Sequence, residues 1–590
     1  MTRSARRVHL HTLAVAAFLA ATSFALYARS LGGPFVFDDL PSIVENPHVR
    51  ALWPLASALA APPQSSVAGR PLSAASFALS YAEFGLDPWG WRATNVALHA
   101  LCALLLFGIV RRALGRDHGA LAFAVALVWL VHPLQTEAVA YVTQRTELLM
   151  ALAFLGAFSA AQCGFAAPGR RQRAWFGLAI AATWLGVGAK EAIASLPPLV
   201  LLYDRAFVSG SFGEALRRHR LLHVGLFASW LPLAALVVAG HRDQSVGFDL
   251  PIPAATYALT QASVICEYLR LALWPAPLVI AHDWPLATSL TDALPALAVL
   301  VPLLGGTLWA CVRQPRLGFL GAWFFLTLAP TSSFVPIVSE IMAERRMYLP
   351  LAALVSGGAL ALAGLVRVRW ARAAVAALCI AALAAVSAEQ LERYRSTVTL
   401  WSHVIDVYPQ HRLRSRIEST IAQELAAAGQ LDAALPHFEL ACELRPTAPE
   451  NWTNLGRARV RKNDFDGAIE AFERAAKAAP DDAQAHADLG LSLAIQRRFG
   501  EAQPELERAV ALDPGQERAR KALARVLVRL GEARVAKHEL TEAIPLFKRA
   551  TELDPSFQAA QQDLSSTALA LAVEKKDAER AAAPPRSRAD

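Results

Sequence analysis

Apolar runs recur through the first two thirds of the chain, at 10–28, 94–110, 119–131, 148–163, 174–189, 192–203, 221–239, 257–274, 293–312, 317–335, 347–366 and 371–388. A helix that crosses a bilayer needs about 20 mostly apolar residues. The pattern therefore commits residues 1–390 to a polytopic bundle of spanning helices. The runs at 119–131 and 192–203 are short, and cross only with polar flanks or inside a protein-lined interior. Arg3, Arg6 and Arg7 precede the first run, as in a signal peptide. That run is longer than a signal core, however, and Tyr27-Ala28-Arg29 is a poor cleavage site, so it is expected to stay as a span.

Composition changes at residue 391. The chain is 55% apolar and 18% charged, yet residues 391–590, a third of its length, hold more than half of its charged side chains. The net charge of +8 comes from the first part. There the basic residues lie between apolar runs, where they set membrane topology, and not in a folded basic patch. This argues against nucleic acid as a partner. None of the six cysteines belongs to a CxxC pair, so neither a zinc site nor a disulfide framework is indicated.

Arginine clusters at Arg3/Arg6/Arg7, Arg111/Arg112/Arg116, Arg170/Arg171/Arg173, Arg217/Arg218/Arg220, Arg313/Arg316 and Arg367/Arg369/Arg372 punctuate the runs. With all six on the cytoplasmic side, neighbouring clusters enclose one pair of runs each, except residues 221–312, which hold three. The run 257–274 carries Glu267 and Arg270 and ends at Trp274-Pro275, so it is the one expected not to cross. Eleven crossings remain, with the amino terminus inside. The outer face then receives a long loop at about 30–93, the segment 132–146, the junction near 190, the segments 241–292 and 336–346, and the whole polar third.

That polar third is periodic. Trp452, Leu455-Gly456, Ala468, Phe472, Ala475 and Pro480 match the tetratricopeptide pattern at each offset. The pattern returns 34 residues later at Leu489-Gly490, Ala502, Leu506, Ala509 and Pro514, and 34 residues earlier at Ala434, Phe438, Ala441 and Pro446. A fourth unit, ending in Ala543, Phe547, Ala550 and Pro555, is delayed by seven residues, two helical turns, which keeps the apolar face in phase. The fold expected is all-α: a membrane bundle over 1–390, a tetratricopeptide-repeat α-solenoid over 391–575, and a disordered tail over 576–590. Trp401, Val404 and Pro409 read as a capping helix for the solenoid.

Polar residues are costly near an apolar core, so those gathered on the outer face invite a functional reading. Asp38 and Asp39 follow Phe35-Val36-Phe37 about ten residues beyond the first run. His132, Glu137, Arg145, Lys190, His282, Asp283, Glu344, Arg345 and Arg346 stand at the outer ends of other runs. Together they suit sugar transfer from a lipid-linked donor. Asp38 or Asp39 takes the proton of an acceptor hydroxyl as its oxygen attacks the anomeric carbon. Arg145, Lys190, Arg345 and Arg346 offset the charge that grows on the departing phosphate. His132, Glu137, His282, Asp283 and Glu344 are further site residues. No phosphate-binding loop of the GxxxxGK[ST] or GxGxxG kind occurs between a strand and a helix, which argues against direct use of a nucleotide.

In these residues the chain resembles the transmembrane and tetratricopeptide-repeat-containing O-mannosyltransferases and their bacterial relatives, in the type C glycosyltransferase superfamily. The resemblance rests on Phe35 through Asp39, Arg70-Pro71-Leu72, Asn95 through His99, His132-Pro133, Thr136 through Val139, Arg145, Lys190-Glu191, His282 through Pro285 and Ala343 through Pro350. It implies a polyprenyl-phosphate sugar donor, a protein Ser/Thr hydroxyl acceptor bound by the repeats, and a bacterial inner membrane with the repeats outside the cytoplasm. Bacterial relatives often read Glu-His-Arg where this chain has Glu344-Arg345-Arg346. No cofactor is implied; a divalent metal is an option if the donor is a diphosphate. Two other readings fit the same features: an oligosaccharide ligase or polymerase with a lipid-diphosphate donor, and a non-enzymatic membrane-anchored repeat scaffold.

Overall fold

The computed structural model describes residues 3–59, 61–62, 65–238, 251–333 and 335–582. Among them the chain is helical, with no β-strand. It divides into two compact units, Met1–Pro409 and Gln410–Asp590.

Among the described residues of the first unit six helices are long and apolar enough to cross a membrane: Thr12–Ser30, Pro88–Leu114, Val142–Ala166, Glu191–Ser209, Leu290–Arg313 and Arg369–Arg393. A seventh counts if the pair Gly119–Val131 and Pro133–Ala140, bent by 58°, is one span. Arg220–Leu236, Pro315–Leu328 and Pro350–Leu365 are shorter apolar helices. Leu294, Val301, Leu308 and Trp309 lie exposed along Leu290–Arg313, as a lipid-facing surface requires. Helix Ala254–Leu273 carries Glu267 and Arg270 as an ion pair on its flank, and it is absent from the helices fit to cross.

The segment 132–146, expected on the outer face, is folded into the interior of the first unit. Every residue from Trp129 to Leu148 is buried. Helix Gly119–Val131 stops at His132, whose backbone is extended and whose Nδ1 accepts from the Leu134 N–H at 3.2 Å. Pro133 has no N–H with which to continue the helix. The chain then folds inward through three short turns, Pro133–Gln135, Thr136–Ala140 and Val142–Gln144, before helix Arg145–Ala166 begins. The long first loop is also structured. It holds helix Pro71–Phe84, and the next long helix starts at Pro88, where Asp87 accepts from the Trp89 N–H at 3.0 Å. Part of the outer segment expected at 241–292, residues 241–250, lies outside the described residues.

The second unit stacks four helical hairpins: Arg414–Ala427 with Leu431–Leu444, Pro449–Arg461 with Phe465–Ala478, Ala483–Ile495 with Phe499–Leu512, and Glu517–Ala536 with Leu540–Leu553. Close approach within a hairpin needs glycine. A Cβ on Gly456 would stand 2.5 Å from the Phe472 ring, one on Gly490 2.6 Å from Leu506, and one on Gly531 2.6 Å from Phe547. The turns between paired helices repeat too, with positive φ at Gly429, Asn463, Arg497 and His538. The seven-residue delay lies in one helix: Glu517–Ala536 has 20 residues where Pro449–Arg461 and Ala483–Ile495 have 13.

Two boundaries differ from expectation. Helix Thr397–Val407 belongs to the first unit and not to the solenoid: Trp401 packs edge-on against Phe37 at 5.7 Å, and His403 Nε2 meets the Leu278 carbonyl at 3.1 Å. The last helix, Gln558–Ala582, runs through the start of the supposed tail, and residues 583–590 lie outside the described residues.

Candidate active site

The carboxylate pair sits on a loop held from three sides. Gly33 passes so close to the Tyr394 carbonyl that a Cβ would stand 2.1 Å from its oxygen. The Arg92 guanidinium donates to the carbonyls of Gly33 and Pro34, and its Nε donates to Ala140 O at 2.8 Å. Phe37 then takes a left-handed backbone, φ 52°, which costs an L-residue about 1 kcal/mol and turns the next two residues apart.

The two aspartates consequently face different surroundings. Asp39 is fully buried, and both its oxygens accept backbone N–H groups: Oδ2 from Val36 at 3.1 Å and Oδ1 from Thr143 at 2.8 Å. It bolts the loop to the buried segment 142–144. Burial pushes its carboxyl up to about 6, against the pull of those two N–H groups and of Arg92. Asp38 is half-buried, and its N–H donates to the Tyr141 hydroxyl at 2.8 Å.

Tyr141 joins this loop to a second group. The charges of Asp38, Asp39, Arg345 and Glu340 all act on its hydroxyl. Glu137 accepts the Arg345 N–H at 2.8 Å and pairs with the Arg345 guanidinium, which also pairs with Glu340. Burial works against the Arg345 charge, but Glu340 and Glu137 outweigh it and hold the residue fully protonated. Glu344, next in the chain, accepts from the Val279 N–H at 2.6 Å and meets His282 Nε2 at 3.0 Å. His282 Nδ1 lies 3.1 Å from the Tyr408 hydroxyl, and Asp283 beside it is half-buried.

A third group flanks the second. Lys190 and Glu147 form a buried ion pair at 2.5 Å, and Arg70 pairs with Glu191 at 2.9 Å. Burial lowers the Lys190 ammonium, Glu147 supports it, and the charges of Arg70 and Arg345 also reach it.

Three expected site residues point elsewhere. Arg145 is buried over the Phe77 and Trp91 rings, with its guanidinium donating to Asn95 Oδ1 at 2.8 Å, Ser80 Oγ at 2.6 Å and the Trp91 carbonyl at 2.8 Å. Those bonds tie helices together and draw it away from a phosphate. Arg346 donates to the carbonyls of Ile341 and Glu340 at 3.0 and 2.5 Å, and so closes its own loop. His132 ends a helix and reaches the Ala272 carbonyl at 3.1 Å.

A tetratricopeptide-repeat family model matches residues 453–517 and 496–556. Across the longer chain, the protein O-mannosyl-transferase TMTC4 of Mus musculus is 26% identical over 483 residues, covering 70% of this chain and 64% of that protein. Tmtc3 of Drosophila melanogaster is 25% identical over 518 residues, covering 73% and 55%. TMTC1 of Mus musculus reaches 41% identity over 152 residues, covering 24% and 16%. The relatives that this chain is similar to are thus named protein O-mannosyl-transferases. The chain spans less than two thirds of each of these relatives. Solved structures similar to it include the tetratricopeptide protein YrrB, at 24% identity over 28% of this chain and 81% of that one, with a TM-score of 0.24. MamA matches at 21% identity over 27% and 86%, with a TM-score of 0.23.

Sequence reasoning missed Tyr141, Arg92 and Glu340. Arg92 carried a signal: an arginine at the mouth of an apolar run faces the bundle interior or its rim. Tyr141, between Ala140 and Val142, carried none, because its importance comes from what folds against it.

Proposed function

We propose that this chain is a membrane glycosyltransferase that moves a hexose, mannose as in the names of its relatives, from a polyprenyl-phosphate donor to Ser/Thr hydroxyls of proteins. The observation that carries this reading is geometric: the loop of the half-buried carboxylate Asp38 is bonded to Tyr141 and Thr143 of the same buried segment whose Glu137 holds the cation Arg345.

The chemistry assigns one step to each. The acceptor oxygen attacks the anomeric carbon, the carbon–oxygen bond to phosphate breaks, and the hydroxyl proton passes to the Asp38 carboxylate. The lipid phosphate leaves with one more negative charge, which Arg345 and the neighbouring Lys190 offset. Glu137 and Glu340 aim the Arg345 guanidinium, and Glu147 aims Lys190. Asp39 is a positioning residue that fixes the loop on which Asp38 stands. Glu344 and His282 brace the segment that carries Arg345.

The six arginine clusters support a topology with this site and the repeats outside the cytoplasm. Extended partners bind along the concave face of repeat arrays, which suits the second unit to acceptor choice. Intact-mass comparison of envelope proteins from cells with and without the gene tests the reading. Single-hexose increments that vanish with the gene are expected; identical masses would refute it.

A further inference from the structure

A second cluster of chemistry-bearing side chains lies away from the site just described. Lys190 stands at one end of the apolar segment Glu191–Ser209, and Asp204 stands near the other. The two are roughly 20 Å apart along a helix of that length. Asp204 is fully buried, and its carboxylate gathers three partners. Its Oδ2 lies 2.7 Å from His219 Nδ1 and 2.8 Å from His223 Nε2, while its Oδ1 accepts from Ser209 Oγ at 2.7 Å. His219 and His223 are four residues apart, at the head of helix Arg220–Phe227, so both rings face the same side. Both are also buried, at 9% and 1% exposure. One ligand atom from each of the three residues lies within 4.8 Å of the other two.

The Phe165 and Phe176 rings press on His219, with centroids at 4.9 and 5.6 Å, so the surroundings are apolar. Among the described residues His223 Nδ1 has no hydrogen-bond partner, and the polar contact of that ring is the one to Asp204. Two imidazole nitrogens from one helix face and a hydroxyl thus converge on a single buried carboxylate in apolar surroundings.

The geometry points to a binding site for a single late first-row divalent cation, Zn²⁺ being the common case, held by His219 Nδ1, His223 Nε2 and Asp204 Oδ2. Two nitrogens and one carboxylate oxygen select such ions over Mg²⁺ and Ca²⁺, which take all-oxygen shells. Zinc bonds of about 2.0–2.2 Å at tetrahedral angles put ligand atoms roughly 3.3–3.5 Å apart. The two N···O contacts therefore open by about 0.6 Å each as the ion enters. The protons that now point at Oδ2 leave these nitrogens, each moving to the other nitrogen of its ring or to solvent. A water completes the fourth position. Ser209, bonded to Oδ1, fixes the carboxylate from behind, as outer-shell partners do. The bound ion staples the turn Asp204–Ser209 to the helix that follows the Arg217/Arg218 cluster. It plays no part in the transfer chemistry at the other end of the span.

The test uses the full chain purified in detergent, stripped with chelator, dialysed against buffered Zn²⁺ and assayed for metal by mass spectrometry. One zinc per chain is expected. His223→Gln and Asp204→Asn should each weaken binding by at least the roughly 10–100-fold that loss of an outer-shell partner costs. Cobalt gives a second readout that does not depend on affinity. Co²⁺ in the wild-type chain should show the visible bands of a four-coordinate ion, and His223→Cys should keep the metal while shifting those bands through a thiolate. Size-exclusion behaviour checks that each variant is folded. Zinc at background in the wild-type chain would overturn the proposal, as would zinc or cobalt bound unchanged by folded His223→Gln.

Discussion

Asp38 and Asp39 are chemically identical neighbours, and the fold gives them opposite work. Asp39 has both oxygens occupied by backbone N–H groups and no exposure, whereas Asp38 is half-buried beside Tyr141. Asp38→Asn should therefore lower transfer by about 10²- to 10⁴-fold, the range for loss of a general base, with the acceptor KM little changed. Asp39→Asn keeps one acceptor oxygen and should reduce the rate less. The two also separate by pH. As pH falls through about 6, the Asp39 carboxyl takes up a proton, its hold on the Val36 and Thr143 N–H groups weakens, and transfer should fall. The folded chain binds that proton more tightly than the unfolded chain, whose carboxyl keeps its ordinary value near 3.8. This contribution to stability is therefore full in acid and lost as pH rises through about 6. A rate profile that declines below pH 6 while this group's contribution raises the thermal midpoint, with both effects lost in Asp39→Asn, is the expected result. None of this division was legible in the sequence, because the donor that claims Asp39 Oδ1 belongs to Thr143, more than a hundred residues away. Arg145 and Arg345 illustrate the same limit. Both stand at the outer ends of apolar runs, and only the carbonyls and hydroxyls folded around Arg145 show that its donors are taken.

At the scale of elements, legibility followed periodicity. The 34-residue spacing located the hairpins, and the seven-residue delay became a longer helix, because both are properties of contiguous sequence. The same spacing marks where the solenoid is tight. Gly456→Val should cost about 1–3 kcal/mol by driving side-chain atoms into Phe472, read as a lower unfolding midpoint of the repeat array. Arg497→Gly should act in the opposite direction, by up to about 1 kcal/mol, because it relieves a left-handed backbone at φ 58°. The segment 132–144 was the least legible element. Its polar residues suggested groups at the outer face open to a substrate, and they are instead buried as partners for Arg345, Tyr348 and Asp39. Helix Thr397–Val407 was misassigned for a related reason: its apolar face resembles a repeat helix, and only contacts with Phe37 and Leu278 assign it to the membrane unit. Gly33 links these elements to the site. Gly33→Val, which forces atoms onto the Tyr394 carbonyl, should displace the Asp38 loop and abolish transfer while leaving the repeats folded by limited proteolysis.

For the whole molecule, the account assigns chemistry to the first unit and acceptor choice to the second. The carboxylates and cations named for transfer all precede residue 350. Deleting residues 410–590 should spare transfer to a short Ser/Thr peptide and impair transfer to the natural protein acceptor, with membrane insertion checked by protease protection. Loss of peptide transfer in the correctly inserted truncation would mean that the repeats complete the active site. The most direct test of the central claim is side-by-side hexose transfer by the purified full chain and its Asp38→Asn variant, from polyprenyl-phosphate mannose to an acceptor peptide followed by intact mass. The account predicts single-hexose additions to the peptide with the wild-type chain, and loss of that product with a variant that elutes and melts like wild type. No product with the wild-type chain, or equal product with Asp38→Asn, would contradict it.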